Sequence, residues 1–286
     1  MSDPATTLFH ISDIHFGLED KRALSWVEEC IATERPAAVL VTGDLTMRAR
    51  HREYAAACRW ISSLGPPVTV EVGNHDMPYF NLIERFVDPY RRFRGIESLI
   101  ERDIDLPGVS IVSLKTTARA QWRFHWSNGW VTPKALRETL DAIDALPSDR
   151  RVLVTAHHPL TERDPNGRRL TINGAHAMEE LARRKVSAIL TGHVHDAFDL
   201  FAETASGPLR MIGAGTLSKR IRSTPPSFNQ IVLTRDGIDV RVRNLEGVTT
   251  PAMQIDEVPA NALPPRKSQD PVAPVGTVPA EDPPVH

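Results

Sequence analysis

Cysteine is scarce in this chain, with only Cys30 and Cys58 among 286 residues. Both fall in helical-looking segments rather than in closely spaced pairs, which argues against a disulfide framework and against a thiolate metal site. Long apolar runs are also missing. No stretch approaches the roughly 20 residues that a membrane span requires, so none is expected. The opening "MSDPATTLFHISD" has neither a basic segment nor an apolar core, so the expectation is a cytoplasmic protein without a secretory leader. Charge of one sign is lacking as well: 34 Lys and Arg against 36 Asp and Glu give a formal net charge of -2. A balance of that kind indicates no field for polyanions, and no nucleic-acid polymer is expected as a partner. What remains is 41% hydrophobic residues, enough to bury a full core in one large α/β domain or two small ones.

Short apolar runs alternate with amphipathic segments. "TLFHIS" predicts a strand, and Lys21 to Glu34 predicts a helix with Leu24, Val27 and Ile31 on one face. "AAVLVTG", "REYAAACRWISSL" and "VTVEVG" continue as strand, helix and strand. Strands apolar throughout argue for a sheet covered on both faces. Further strands are predicted at "VSIVSL", "RVLVTA" and "SAILTG", with a helix between that starts at Thr132-Pro133. After residue 208 come strands without helices, including a hairpin turning at Asp236-Gly237. Prolines then recur from Pro251 onward, so residues 1–250 are read as one domain and 251–286 as an extended or disordered tail.

The polar residues fall where the strands end. The first strand runs into Asp13-Ile14-His15, the second into Gly43-Asp44, and the third into Gly73-Asn74-His75-Asp76. "RVLVTA" runs into His157-His158, and "SAILTG" into Gly192-His193-Val194-His195. Ligands of open α/β sheets bind beyond the carboxyl ends of the strands, so these five loops are expected to converge. Asp, His and Asn donors suit Mn, Fe, Zn, Co or Ni better than Ca. Asp13/His15 and His193/His195 are i, i+2 pairs, which along an extended chain face one side. His157 and His158, being adjacent, are expected to point apart, with only one a ligand. Asp13, His15, Asp44, Asn74, His157, His193 and His195 are too many donors for one tetrahedral ion; they suit two ions about 3.5–4 Å apart sharing a carboxylate. His10, inside the first strand, is expected in the core. Asp196 is read as a solvated turn residue or an orienter of His195.

In "SDIHFG", "TGDLT", "GNHD", "AHHPL" and "TGHVH" the sequence resembles the calcineurin-like metallophosphoesterase superfamily, over about residues 7 to 245. Within it, the motifs are most similar to the bacterial cyclic-nucleotide phosphodiesterase and glycerophosphodiesterase branch. The resemblance implies a four-layer αββα sandwich of two mixed sheets flanked by helices. It also implies two divalent or trivalent transition-metal ions, Mn, Fe or Zn, as cofactors. One would take Asp13, His15, His195 and a shared Asp44; the other Asp44, Asn74, His157 and His193. A hydroxide between them would be the nucleophile. His75 would face the substrate phosphate, with Asp76 orienting its imidazole. The oligomeric state stays open, with a homodimer one option because dimers are frequent in that family.

The substrate is expected to be a small anionic phosphate ester. "KTTARAQWRFHWSNGW" offers Arg119, Trp122 and Arg123 to grip a phosphate and stack on a base or sugar, or else tryptophans that plug the core. Arg91, Arg92 and Arg94 lie either on the rim or on a solvated helix face. Arg163, Arg168 and Arg169 belong to a polar insertion read as a mobile rim. Hydrolysis of a phosphodiester is the leading expectation. A phosphomonoesterase, a nucleotide-sugar-lipid pyrophosphatase and a non-catalytic scaffold of the same fold are the alternatives.

Overall fold

Strand β1 (Thr6–Ile11) sends alternate side chains into two different cores, and that alternation sets the architecture. Leu8 joins Leu40, Leu153, Leu190 and Ile231 between two sheets, whereas Phe9 and Ile11 pack with Val27, Ile31 and Ile61 beneath helices. The structure, a computed structural model, describes residues 5–78, 84, 87–100, 104–117, 128–161, 171–247 and 249–251.

The first sheet is six-stranded. In it β1 lies parallel to β2 (Ala38–Val41), and β2 parallel to β3 (Val68–Val70). On its other side β1 pairs antiparallel with β11 (Ser227–Leu233), which continues through β12 (Ile238–Asn244) to β13 (Thr249–Pro251). The second sheet is five-stranded. Its order is β4 (Val109–Ser113), β6 (Arg151–Thr155), β8 (Ala188–Thr191), β10 (Leu209–Gly213) and β9 (Phe198–Ala202). Only β9 runs antiparallel to its neighbour there. A separate short pair joins β5 (Gly129–Trp130) to β7 (Thr171–Ile172).

Helices cover both outer faces. α1 (Lys21–Glu34) starts at Asp20, whose carboxylate accepts from the amides of Arg22 and Ala23. It lies with α2 (His51–Ser63) and α3 (Arg91–Ile100) over the six-stranded sheet. α4 (Pro133–Asp144) begins at Thr132, whose hydroxyl accepts from Ala135 N at 3.1 Å. With α5 (Gly174–Arg183) it covers the five-stranded sheet through Leu136, Ile143, Ala177 and Leu181. The layers are therefore helix, sheet, sheet, helix, the expected αββα sandwich.

Several details differ from the expectation. β3 stops at Val70, and the next residue, Glu71, instead accepts hydrogen bonds from Ser113 (2.7 Å) and Thr155 (2.6 Å) of the facing sheet. β10 belongs with the parallel strands of the second sheet rather than with the late antiparallel set. β9 and α5 are absent from the sequence reading: β9 is a five-residue run, FDLFA, directly after the His195 loop, and α5 has a short apolar period that buries only Gly174, Ala177, Met178 and Leu181. Pro251 ends β13 opposite Arg241, and the rest of the supposed tail lies outside the described residues. Among the described residues no helix is long and apolar enough to cross a membrane.

The inter-sheet layer carries the fold. Leu153→Ala, at a site with no exposed surface, is expected to cost about 2–5 kcal/mol in urea unfolding. Leu99→Ala, at a 69% exposed position, should change stability by no more than ~0.5 kcal/mol.

Candidate metal centre

The carboxyl ends of β1, β2 and β3 from one sheet meet those of β6 and β8 from the other. The loops are stitched as though the ladders continued: Asp13 N donates to Gly43 O (3.1 Å), His15 N to Asp44 O (3.0 Å), and Gly192 N to His157 O (2.9 Å). Asp13, His15, Asp44, His157 and His195 are all buried.

At the middle stands Asp44. Its Oδ2 lies 3.7 Å from His15 Nε2 and 3.5 Å from His157 Nε2. On one side His195 Nε2 is 3.1 Å from Asp13 Oδ1 and 3.2 Å from His15 Nε2. On the other, His157 Nε2 is 3.1 Å from Asn74 Oδ1, and the His157 and His193 ring centres are 5.2 Å apart. All seven residues expected as ligands are thus brought together. Asp13, His15 and His195 form one group whose ligand atoms lie within 4.8 Å of each other; Asp13, Asp44 and His157 form another.

The backbone that achieves this is strained. Asp13 (φ 53), His15 (φ 50), Asp44 (φ 51), His193 (φ 69) and His195 (φ 68) are all left-handed. Each such residue costs about 1–3 kcal/mol, which the surrounding packing must offset. The i, i+2 pairs therefore face one side through left-handed turns, not through the extended chain that the sequence predicts. Ile14 and Val194 between them turn into the two outer cores. Strand alternation also fails at His157 and His158, because β6 has already ended at Thr155. Their rings lie 4.6 Å apart instead of diverging. His158 Nδ1 lies 2.9 Å from Thr116 Oγ1, and its ring nitrogens cluster with those of His157 and His193.

Glycines make room for this crowding. Gly43 combines a left-handed φ of 100° with a position where a Cβ would lie 2.4 Å from His157 Nδ1. Gly73 needs no unusual φ; a Cβ there would lie 2.1 Å from Asp44 Oδ1 and 2.2 Å from Asp44 N.

Charge and tautomer both fit cations. His157 Nδ1 donates to Thr42 O (2.7 Å) and His195 Nδ1 to Arg220 O (2.7 Å), which directs each Nε2 inward. Asp13 Oδ1 is buried with no backbone amide or hydroxyl donating to it and His195 Nε2 3.1 Å away. Burial favours the neutral carboxyl, yet the neighbouring imidazoles hold Asp44 well below the usual range, and His195 does the same for Asp13. Burial favours neutral imidazole at His157 too, yet Asp44 raises it to about 9. Burial keeps His193 down at about 3 and His15 at about 4. The two buried carboxylates thus favour positive charge beside them, and divalent cations on this oxygen and nitrogen set would supply it.

His75 sits at the edge of the group. Its Nδ1 donates to Met47 O (2.8 Å) and its ring stands 4.8 Å from that of His15. Asp76 does not orient that imidazole, contrary to expectation. Its carboxylate instead accepts from Leu45 N (3.1 Å), Thr46 N (2.8 Å), Thr46 Oγ1 (3.0 Å) and Gly73 N (3.0 Å). A carboxylate so engaged fixes the Asp44 loop against the Asn74 turn and has no need of the ring. Asp196 likewise holds Ser223 N (3.2 Å) and Thr224 Oγ1 (3.0 Å) rather than His195. His10 is in the core, between Thr42 and Asn229, and its burial lowers it to about 3.

Of the substrate residues, Arg119, Trp122 and Arg123 lie outside the described residues, as do Arg163, Arg168 and Arg169. Arg92 pairs with Glu84 and Arg94 with Asp88, so their charge is spent locally on the helix side. The sequence reading missed Arg220, whose Nη1 lies 3.2 Å from His15 Nε2 and 3.1 Å from His75 Nε2. The only signal for it was a basic stretch, Lys219 to Arg222, following an apolar strand.

A family model described as calcineurin-like phosphoesterase matches residues 6–197. A probable cyclic nucleotide phosphodiesterase of Synechococcus sp. is 27% identical over 221 residues, covering 67% of this chain and 74% of that protein. Among solved structures, a dimetal phosphatase from Danio rerio superposes with a TM-score of 0.61 at 16% identity, covering 88% of this chain and 100% of that one. A purple acid phosphatase from yellow lupin (Lupinus luteus) gives a TM-score of 0.62 at 10% identity, over 87% of this chain and 53% of that one. Both structures share the fold.

Gly73→Ala should lower unfolding stability by about 1–3 kcal/mol through overpacking. Gly95→Ala, where a Cβ meets nothing within 4 Å on α3, should be neutral or stabilise by up to ~1 kcal/mol, as helix propensity dictates. Equal effects at the two glycines would contradict the close packing around Asp44.

Proposed function

The chain belongs to the calcineurin-like phosphoesterase family, and from that premise we propose that it hydrolyses phosphodiesters on a pair of transition-metal cations. Mn, Fe and Zn all suit the donor set. Asp13, His15, His195 and Asp44 would hold one cation; Asp44, Asn74, His157 and His193 the other. The observation that carries this assignment is the Asp44 carboxylate, interposed between His15 and His157. When bound, such cations neutralise charge on phosphoryl oxygens and lower the pKa of a coordinated water toward neutrality.

The protein's own share is positioning and proton transfer. Because His75 Nδ1 donates to Met47 O, Nε2 is the ring atom on the side of Arg220 and His15, and a proton carried on Nε2, not the one held by Met47, would pass to the leaving oxygen. Its amide donates to Asp44 Oδ1 at 2.8 Å, so the turn bearing His75 moves with the shared carboxylate. Preference for a diester is supported by the relative at 27% identity, a probable cyclic nucleotide phosphodiesterase.

Protein supplied with Mn²⁺ is expected to hydrolyse bis-p-nitrophenyl phosphate faster than p-nitrophenyl phosphate, with chelation abolishing both. Asp44→Ala and Asn74→Ala should each lose at least ~100-fold in kcat/KM. Full activity in either variant would refute the ligand assignment, and faster monoester turnover would refute the diesterase reading.

His75→Ala provides a separate check. It should lower kcat by ~100-fold or more for a diester with an alkoxide leaving group. With p-nitrophenolate, which departs without a proton, the loss should be much smaller. The same loss with both leaving groups would rule out proton delivery by this ring.

A further inference from the structure

Arginine is an unexpected neighbour for a cation site. It carries only donors, cannot serve as a metal ligand, and stays charged at any working pH. Yet Arg220 places Nη1 3.2 Å from His15 Nε2 and 3.1 Å from His75 Nε2. A fixed positive charge beside the residues that would hold two cations is repelled unless an anion lies between them.

The placement is built rather than incidental. Arg220 N donates to Ser218 Oγ (3.2 Å), while its carbonyl accepts from His195 Nδ1 (2.7 Å). Ser218 Oγ in turn contacts Thr216 Oγ1 (2.7 Å), which donates to Asp13 O (2.7 Å). Lys219 N is tied to Leu18 O, and Asp196 holds the far end of the loop at Ser223 and Thr224. The guanidinium itself is paired with no carboxylate among the described residues. Arg92, Arg210 and Arg243 differ in that each is neutralised, by Glu84, Asp199 and Glu34 respectively.

We propose that Arg220 is a phosphate-binding residue, whose guanidinium takes a non-bridging phosphoryl oxygen on the His15 and His75 side of the site. This deepens the phosphoesterase reading and rests on it. A guanidinium fork matches the oxygens of a phosphoryl group. Its contact with His75 puts the bound phosphate within reach of the ring that would serve the leaving oxygen. The ligand class is any phosphoryl group with a free oxygen, with inorganic phosphate as its simplest member.

Truncating the side chain leaves the Arg220 carbonyl in place for His195, so Arg220→Ala separates phosphate binding from support of the metal residues. Manganese content by elemental analysis, phosphate affinity by calorimetry, and KM and kcat on bis-p-nitrophenyl phosphate would be measured for wild type, Arg220→Ala and Arg220→Lys. The expected result is unchanged metal content with phosphate affinity weakened on the order of 10- to 100-fold in Arg220→Ala, as loss of a charge-assisted hydrogen bond implies. KM should rise in step, and Arg220→Lys should recover part of both. Unaltered phosphate affinity and KM would overturn the proposal, as would loss of metal in both variants. Phosphate binding needs no turnover, so weaker binding in the variant of a wild type inactive on diesters would sink the diesterase reading and leave this one standing.

Discussion

A single buried carboxylate, Asp44, joins the two halves of the site. One oxygen stands between imidazoles that come from different sheets, and the other accepts the His75 amide. A negative charge so far from water is tolerable only with positive charge beside it. The Asp44 carboxylate raises the His157 imidazole for this reason, and cations suited to the donor set would meet the same electrostatic demand. The strained loops and the side-chain-free contact at Gly73 let that carboxylate be approached from both directions.

Bringing two sheets' strand ends to one point requires that the sheets not slide, and apolar packing alone is weakly directional. Polar stitches supply the register. Glu71, whose amide still donates to Val41 O in the first sheet, sends its carboxylate across to accept from Ser113 and Thr155 of the second. Asn229 crosses the same gap to Gly213 O while holding His10, which bonds Thr42 beneath the Asp44 turn. A buried polar group that is left unpaired is costly, so each stitch selects one relative position of the layers. Left-handed backbone at Asp13, His15, Asp44, His193 and His195 is affordable only on so well-determined a base.

The loop after β10 closes the arrangement from the opposite side. Thr216 holds the Asp13 carbonyl, the Arg220 carbonyl fixes the His195 tautomer, and Asp196 pins Ser223 and Thr224. Residues 205 positions apart in the chain, His15 and Arg220, thereby share one side of the site. In an α/β layered fold such contacts follow from strand order rather than from local sequence.

The residues alone determined much of this. Apolar runs and caps located β1, α1 and α4 close to their true limits, because period and end chemistry are local properties. Strand-end polar groups pointed to the seven residues that the structure brings together, since placement at carboxyl ends is enough to make them converge. The tertiary structure alone decided the rest. It put β10 among parallel strands, folded His158 back beside His157, turned Asp76 away from His75, and brought Arg220 to the centre. Each of those outcomes depends on which backbone group happens to lie opposite, and neither periodicity nor motif spacing encodes the far partner of a hydrogen bond.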